Sequence, residues 1–184
     1  NMSNIGLLAQ GSNVDAHNLV IRDCSQYLVA LNIGGNYNFT HCTFANYWNY
    51  YQNRNRNTPS ILLNNYYEGI DGNVYVRDLE SANFTNCIIY GTLSTEISFQ
   101  ENSSGNFNYA FQNCLIKLDP NINQADNYFD CIINEDPIFV DSEEGDLTLN
   151  ESSPAINSGV LLSSYLIDIN GNTRINPDVG AYER

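Results

Sequence analysis

The chain has 184 residues and carries 21 Asp+Glu against only 7 Lys+Arg, a formal net charge of −14. So acidic a surface repels a polyanion over most of its area, which excludes nucleic acid as a natural partner. Acidic polysaccharides are disfavoured for the same reason unless a cation mediates. The length suits one domain with an appendage, and the longest apolar run, near Gly159–Ile167, is too short and too polar to span a bilayer.

The chain begins at Asn1 with no signal-like segment, as expected of a mature form or an excised piece. Residues 1–47 predict strands near 5–10, 17–24, 27–32 and 37–45. A motif then becomes visible: a large residue, a cysteine three places on and an apolar residue two places further. It reads Phe39, Cys42, Phe44, then Phe84, Cys87, Ile89, then Phe111, Cys114, Ile116 and finally Tyr128, Cys131, Ile133. Ile21 and Cys24 fit the same grammar, except that Gln26 stands where the last apolar residue belongs.

Side chains two apart share a face of a strand, so a gap of three keeps both residues inside only where the chain bends. The residues before the five cysteines are Asp23, His41, Asn86, Asn113 and Asp130. Those types tolerate left-handed backbone and hydrogen-bond locally, which predicts a sharp corner at each. A second series of short apolar strands alternates with the motif: Gly6–Gln10, Leu28–Asn32, Ile61–Asn65 and Ile97–Gln100. The expected fold is all-β, a parallel β-helix whose inward residues stack at the strand spacing of ~4.8 Å. The cysteines are spaced by 18, 45, 27 and 17 residues, near the period of about 20–25 residues for such repeats. The gap of 45 marks a repeat with long insertions.

The thiols themselves have no CxxC pair and share no ligand spacing with His17 or His41, so a zinc site is not expected. Side-by-side Cβ atoms at ~4.8 Å are also further apart than a bridged pair. The expectation is a ladder of buried free thiols acting as small apolar residues. An uncovered apolar edge at strand 5–10 is an aggregation liability, so further repeats upstream are expected to cover it.

Two insertions collect the aromatic residues. Tyr47, Trp48, Tyr50, Tyr51, Arg54 and Arg56 fall in the first, and Tyr66 and Tyr67 in the second, which leads into a strand over 73–79. Such residues suit stacking on sugar rings or gripping another protein. The alternative is a local lid that buries these rings, and composition does not separate the two. Paired Asp residues on adjacent repeats would suit a hydrolase; Asp71 and Asp78 lie near this repeat, and nothing in the sequence fixes their geometry. Lys117 should point outward as a solvated surface lysine.

The chain changes character after Glu135. Asp136-Pro137-Ile138-Phe139, Gly145-Asp146-Leu147-Thr148-Leu149, Ser153-Pro154-Ala155-Ile156-Asn157-Ser158-Gly159, Asp168-Ile169-Asn170-Gly171-Asn172-Thr173-Arg174 and Val179-Gly180-Ala181-Tyr182-Glu183 follow one another. This tail resembles the choice-of-anchor Q-like C-terminal signature of secreted parallel β-helix proteins in the pectate-lyase-like superfamily, Bacteroidetes type. Asn157 stands where that signature often has Asp. The resemblance implies a right-handed helix of an exported or cell-surface protein, and it brings no catalytic residues.

The division expected is 1–135 for the helix repeats and 136–184 for a cap. The cap should cross the last repeat, burying Ile138, Phe139, Leu147, Leu149 and Ile156. Asp168–Asn172 opens like a calcium loop, but Val179 stands at the twelfth position where a carboxylate is needed. No cofactor is therefore assigned, and calcium elsewhere on the acidic surface stays open. The expected function is binding of carbohydrate or protein through the aromatic loops without catalysis, against the alternatives of a polysaccharide lyase or glycoside hydrolase and of a structural spacer.

Overall fold

A computed structural model of the chain describes residues 4–50, 54–122 and 126–184. It is all-β, apart from one 3-10 turn at Trp48–Tyr50. The first two repeats contribute β1 (Leu7–His17), β2 (Val20–Arg22), β3 (Val29–Thr40) and β4 (Thr43–Asn46). The third adds β5 (Ile61–Asn64), a hairpin of β6 (Tyr66–Glu68) and β7 (Val74–Val76), then β8 (Leu79–Thr85) and β9 (Ile88–Gly91). After these come β10 (Ile97–Gln100), β11 (Ala110–Gln112), β12 (Leu115–Ile116), β13 (Tyr128–Phe129) and β14 (Ile132–Ile133). The tail holds β15 (Phe139–Asp141) and β16 (Asp146–Leu149).

Strands of successive repeats pair in parallel, and the chain alternates between two sheets. One sheet contains β1, β3, β5, β8, β10, β11 and β13; the other runs β2, β4, β9, β12, β14. Two antiparallel ribbons, β6–β7 and β15–β16, stand apart from them. The strands expected at 27–32 and 37–45 are one continuous β3 up to the corner at His41, with β4 beyond it. The strand expected over 73–79 is the return arm of the hairpin and ends at Val76.

The core lies between the two sheets. Register places Ala16, Phe39, Phe84, Phe111 and Tyr128 in one column. The four rings from Phe39 to Tyr128 stack at 5.1, 5.0 and 5.1 Å with interplanar angles of 14°, 16° and 10°. Ile21, Phe44, Ile89, Ile116 and Ile133 form the facing column, and Phe44 meets Phe39 edge-on at 5.6 Å. Each offset-stacked pair adds about 0.5–1.5 kcal/mol beyond the area it buries.

Between the two columns the backbone turns as the polar residues dictate. His41, Asn86, Asn113 and Asp130 have φ of 49°, 53°, 48° and 51°. The cysteine that follows each corner points inward. The thiols of Cys42, Cys87, Cys114 and Cys131 donate to the carbonyls of Thr40, Thr85, Gln112 and Phe129, two residues back. They also reach the ladder residue of the preceding repeat, at Ala16, Phe39, Phe84 and Phe111 respectively. All five cysteines are free thiols, and burial pushes the Cys87 thiol well above its ordinary range.

Cys24 does not belong to this column. Register carries His17 onto Thr40 and Val20 onto Thr43, so Asn18 is the first corner and Leu19 holds the cysteine position. Asn18 has φ of 50° and donates its amide to Thr40 O. Cys24 follows β2 and lies beside Asn46, whose Nδ2 donates to Cys24 O. The 18-residue gap between Cys24 and Cys42 is therefore no repeat length.

The tail covers the outer face of the second sheet and does not run across the last repeat. Ala45, Ile88, Leu115, Leu147, Leu149, Ala155 and Val179 form a second core there, with Val20, Ile132, Phe139 and Ile156 packed against it. Ile138 stays 38% exposed, so the expectation that it is buried does not hold.

The corner residues hold the tail in place. Asn18 Nδ2 donates to Ile167 O, and Asn86 exchanges hydrogen bonds with both backbone groups of Val160. Arg174, buried, donates to Glu183, Asn18 Oδ1 and the carbonyls of Gly180 and Ala181.

His41 is completely buried between Asn86 Nδ2, 2.9 Å from its Nε2, and Gly180 O, 3.3 Å from its Nδ1. The amide donor assigns the acceptor role to Nε2 and the proton to Nδ1. Burial, then the Arg174 charge, lowers its pKa from 6.5 to about 4.

Two predictions follow from this core. Phe84→Ala, which empties a site with rings on both sides, should cost about 3–5 kcal/mol by urea denaturation, and Tyr128→Ala at the column's end should cost less. His41 is neutral in the fold but protonates near pH 6.5 when unfolded. Its contribution is full above that pH and falls by about 3 kcal/mol as the pH drops through about 4. His41→Asn suits the left-handed corner and cannot titrate, so its urea midpoint should vary less over that window.

Candidate functional site

The first insertion is folded inward. Tyr47 and Trp48 are 6% and 7% exposed. Tyr47 stacks on Tyr50 at 5.2 Å and meets Phe139 of the tail edge-on at 6.3 Å, and burial pushes its phenol up. Arg54 lies over the Trp48 ring at 4.5 Å. Tyr51 falls outside the described residues. Tyr50, at 54% exposure, is the aromatic residue this insertion offers to solvent among those described.

Arg56 is fully enclosed and forms a bidentate pair with Glu96, at 2.9 Å from Nη1 to Oε2 and 2.8 Å from Nη2 to Oε1. Glu96 also accepts the Ser60 amide and hydroxyl and the Leu93 amide, while Arg56 donates to Asn46 O. With every carboxylate oxygen engaged, the pair staples the insertion to the sheets. Arg56 is thus enclosed within the lid by its pair with Glu96, whereas its sequence neighbours place it on an exposed binding surface.

The second insertion is the β6–β7 hairpin. At its tip Asp71 accepts from the Tyr75 hydroxyl at 2.7 Å and from the Asn73 amide and side chain. Those bonds, the Tyr75 hydroxyl foremost, lower the Asp71 pKa to about 2. Asp78 accepts the Asn106 amide at 2.7 Å. Asp71 is thus engaged within its own turn and Asp78 by the backbone of a later repeat, and no hydrogen bond joins the two into an acid–base pair. Lys117 is pinned as well, donating to Gly91 O at 2.9 Å with its ammonium 4.7 Å from the Tyr90 ring centre.

The hairpin leaves the first sheet beside a break in β1 and β3. The register of β1 and β3 shifts at Gly11, and β3 bends through Ile33, Gly34 and Gly35 with φ of 63°, 67° and 121°. A Cβ on Gly34 would stand 2.3 Å from Asp78 O, so only glycine lets the hairpin base approach this closely. Beside this break, Gln10 pairs in register with Asn32, and Asn64 with Gln100. Leu31 pairs with Leu63, so the next residues, Asn32 and Asn64, are neighbours too.

Four carboxamides thus form a row across four strands on the outer face. They line a shallow groove of about 210 Å³ together with Tyr66 and Tyr67. A second hollow of about 290 Å³ adjoins it and reaches Arg77. Tyr67 is backed by Tyr75, stacked at 5.2 Å.

Asn64 Nδ2 donates to Gln100 Oε1 at 3.3 Å, and Asn64 Oδ1 accepts the Ile33 and Tyr66 amides. Asn32 Oδ1 has no partner. Carboxamides donate and accept in one plane, as adjacent hydroxyls require, and phenol faces stack on apolar ring surfaces.

Of the residues singled out from sequence, Tyr66 and Tyr67 reach this groove, while Tyr47, Trp48, Tyr50, Arg54 and Arg56 belong to the lid. Gln10, Asn32, Asn64 and Gln100 complete it, with Arg77 in the adjoining hollow, and sequence reasoning does not single them out. The signal was present: each apolar strand of the second series carries an amide directly after its last apolar residue.

Among the described residues no group of three or more His, Cys, Asp or Glu is placed to hold a metal. Asp168 is filled by the chain itself, accepting the amides of Asn170, Asn172 and Glu183 and the Asn172 side chain. Burial drives its carboxyl upward, but these donors outweigh it and leave the pKa below its ordinary value. No helix is long and apolar enough to cross a membrane.

Arg56→Met leaves Glu96 buried without its counterion and should cost about 3–5 kcal/mol in urea unfolding. Adding Glu96→Leu should recover part of that loss. No family model, no curated protein and no solved structure matches this chain.

Proposed function

We propose that this chain is a right-handed parallel β-helix module of an exported or cell-surface protein, and that it binds neutral carbohydrate without catalysis. Support for the helix comes from the regular alternation between two parallel sheets, with left-handed corners at matching positions. The export reading rests on the tail signature, whose Asp168, Arg174, Asp178 and Glu183 interlock as a hydrogen-bonded set.

The observation that carries the binding reading is the row Gln10, Asn32, Asn64 and Gln100 beside Tyr66 and Tyr67. Amides beside phenol rings match a ligand with hydroxyls on its edges and an apolar face. The net charge of −14 favours a neutral one. A lyase or hydrolase needs free acid–base groups, and Asp71 is engaged within its own turn and Asp78 by the Asn106 amide.

The test is a glycan array probed with the full chain, followed by calorimetry on the glycans retained. Tyr67→Ala and Gln100→Ala should each weaken binding about tenfold or more, equivalent to about 1.4 kcal/mol. Tyr50→Ala, in the other insertion, should leave it unchanged. An array without retained glycans, or retention indifferent to Tyr67→Ala, would overturn the proposal.

A further inference from the structure

Basic side chains are scarce in this chain, and nearly all of them are committed. Of the 7, Arg22, Arg56, Arg174 and Arg184 pair with Asp23, Glu96, Glu183 and Glu151. Arg54 lies over the Trp48 ring, and Lys117 donates to Gly91 O beside the Tyr90 ring. Arg77 is the exception. It is exposed, and among the described residues its guanidinium has no hydrogen bond, ion pair or ring contact.

The backbone that carries it is fixed. Arg77 N donates to Asn65 O at 2.8 Å, and a Cβ on Gly34 would stand 2.7 Å from Arg77 O. Asn65 is itself buried, its side chain bonded to Asn102 and Asn106. The guanidinium thus leaves an anchored point at the base of the hairpin.

Two hollows meet at Arg77, and they differ in charge. The one of about 290 Å³ continues the amide groove, sharing Gln10, Ile33 and Tyr67 with it, and among the described residues no carboxylate lines it. The other, of about 370 Å³, holds Asp78 and Glu80. An anion is therefore favoured on the amide side of Arg77 and opposed on the far side.

Building on the reading of this groove as a glycan site, we propose that its ligand is a neutral sugar chain bearing a single anionic group, a carboxylate or a sulfate, that pairs with Arg77. The guanidinium meets either group with parallel N–H donors. Hydroxyls of the neutral sugars take the amide row, where Asn32 Oδ1 is an acceptor without a partner. Tyr67, common to the groove and the hollow, offers its ring between the two. The net charge of −14 opposes an anion in proportion to the charge it carries, so a single group loses little and a polyanion loses much. Asp78 and Glu80 set the same limit at short range, since a second negative group beside the first would face them.

The test presents the full chain with an array of neutral oligosaccharides, the same oligosaccharides bearing one C6 carboxylate or one sulfate, and polyuronates. Calorimetry should show a singly charged form bound about tenfold or more tighter than its neutral parent, the scale of one charge-assisted pair. The tighter of the carboxylate and sulfate forms identifies the group recognised. Arg77→Gln should bring the charged form down to the level of its neutral parent with no change in urea midpoint. Arg77→Lys, a charge without the planar fork, should keep part of the preference, and Tyr50→Ala should keep all of it. Raising the salt to about half molar, where the screening length is a few Å, should shrink the preference. Equal binding of charged and neutral forms, or a preference that survives Arg77→Gln, would overturn this inference and leave the amide groove standing as a glycan site. Polyuronates bound more tightly than singly charged chains would overturn it as well. An array that retains no glycan would overturn both readings.

Discussion

The left-handed corner is the constraint on which the rest depends. At Asn18, His41, Asn86, Asn113 and Asp130 the backbone enters a region that few side chains tolerate. The bend brings an inward residue of one sheet within reach of the inward residue of the next. The amides of the first four corners also donate to the repeat that follows, Asn18 to Thr40 O, His41 to Thr85 O, Asn86 to Gln112 O and Asn113 to Phe129 O. A single column thus turns the chain, sets the register of both sheets and seats the thiols over the aromatic stack.

The same column explains where the tail lies. A side chain on left-handed backbone at a corner points away from the core, and Asn18, His41 and Asn86 use that position to bind tail backbone. The tail then buries the outer face of the second sheet, which carries Val20, Ile88, Leu115 and Ile132. A parallel sheet needs cover on both faces. The tail supplies on one side what the paired sheets supply on the other.

Charge is distributed to match. Arg56 and Arg174, two of the 7 basic residues, are buried as staples. Arg22 pairs with Asp23, and Arg184 with Glu151. Glu96, Asp168 and Asp178 are buried with them, so the surface keeps the acidic balance of the composition, while the groove beside the hairpin is lined by amides and phenols. Arg77, exposed at its margin, is a positive charge beside an otherwise neutral recess.

Much of this was legible in the residues themselves. The Phe–Cys–Ile spacing and the polar residue before each cysteine specify a bent, parallel, all-β stack, because side-chain alternation and left-handed tolerance are local properties. The tail and the insertions were visible as breaks in that grammar. Tertiary structure decided the rest. Only register shows that Leu19, not Cys24, holds the first inward position, since pairing between strands is invisible in one repeat taken alone. Only packing shows that Trp48 and Arg56 belong to a lid, because an aromatic or an arginine looks the same in sequence whether it faces a core or a ligand. The carboxamide row arises because four strands distant in the chain carry an amide at the same register position and are laid side by side, a coincidence of position that no single stretch of sequence contains.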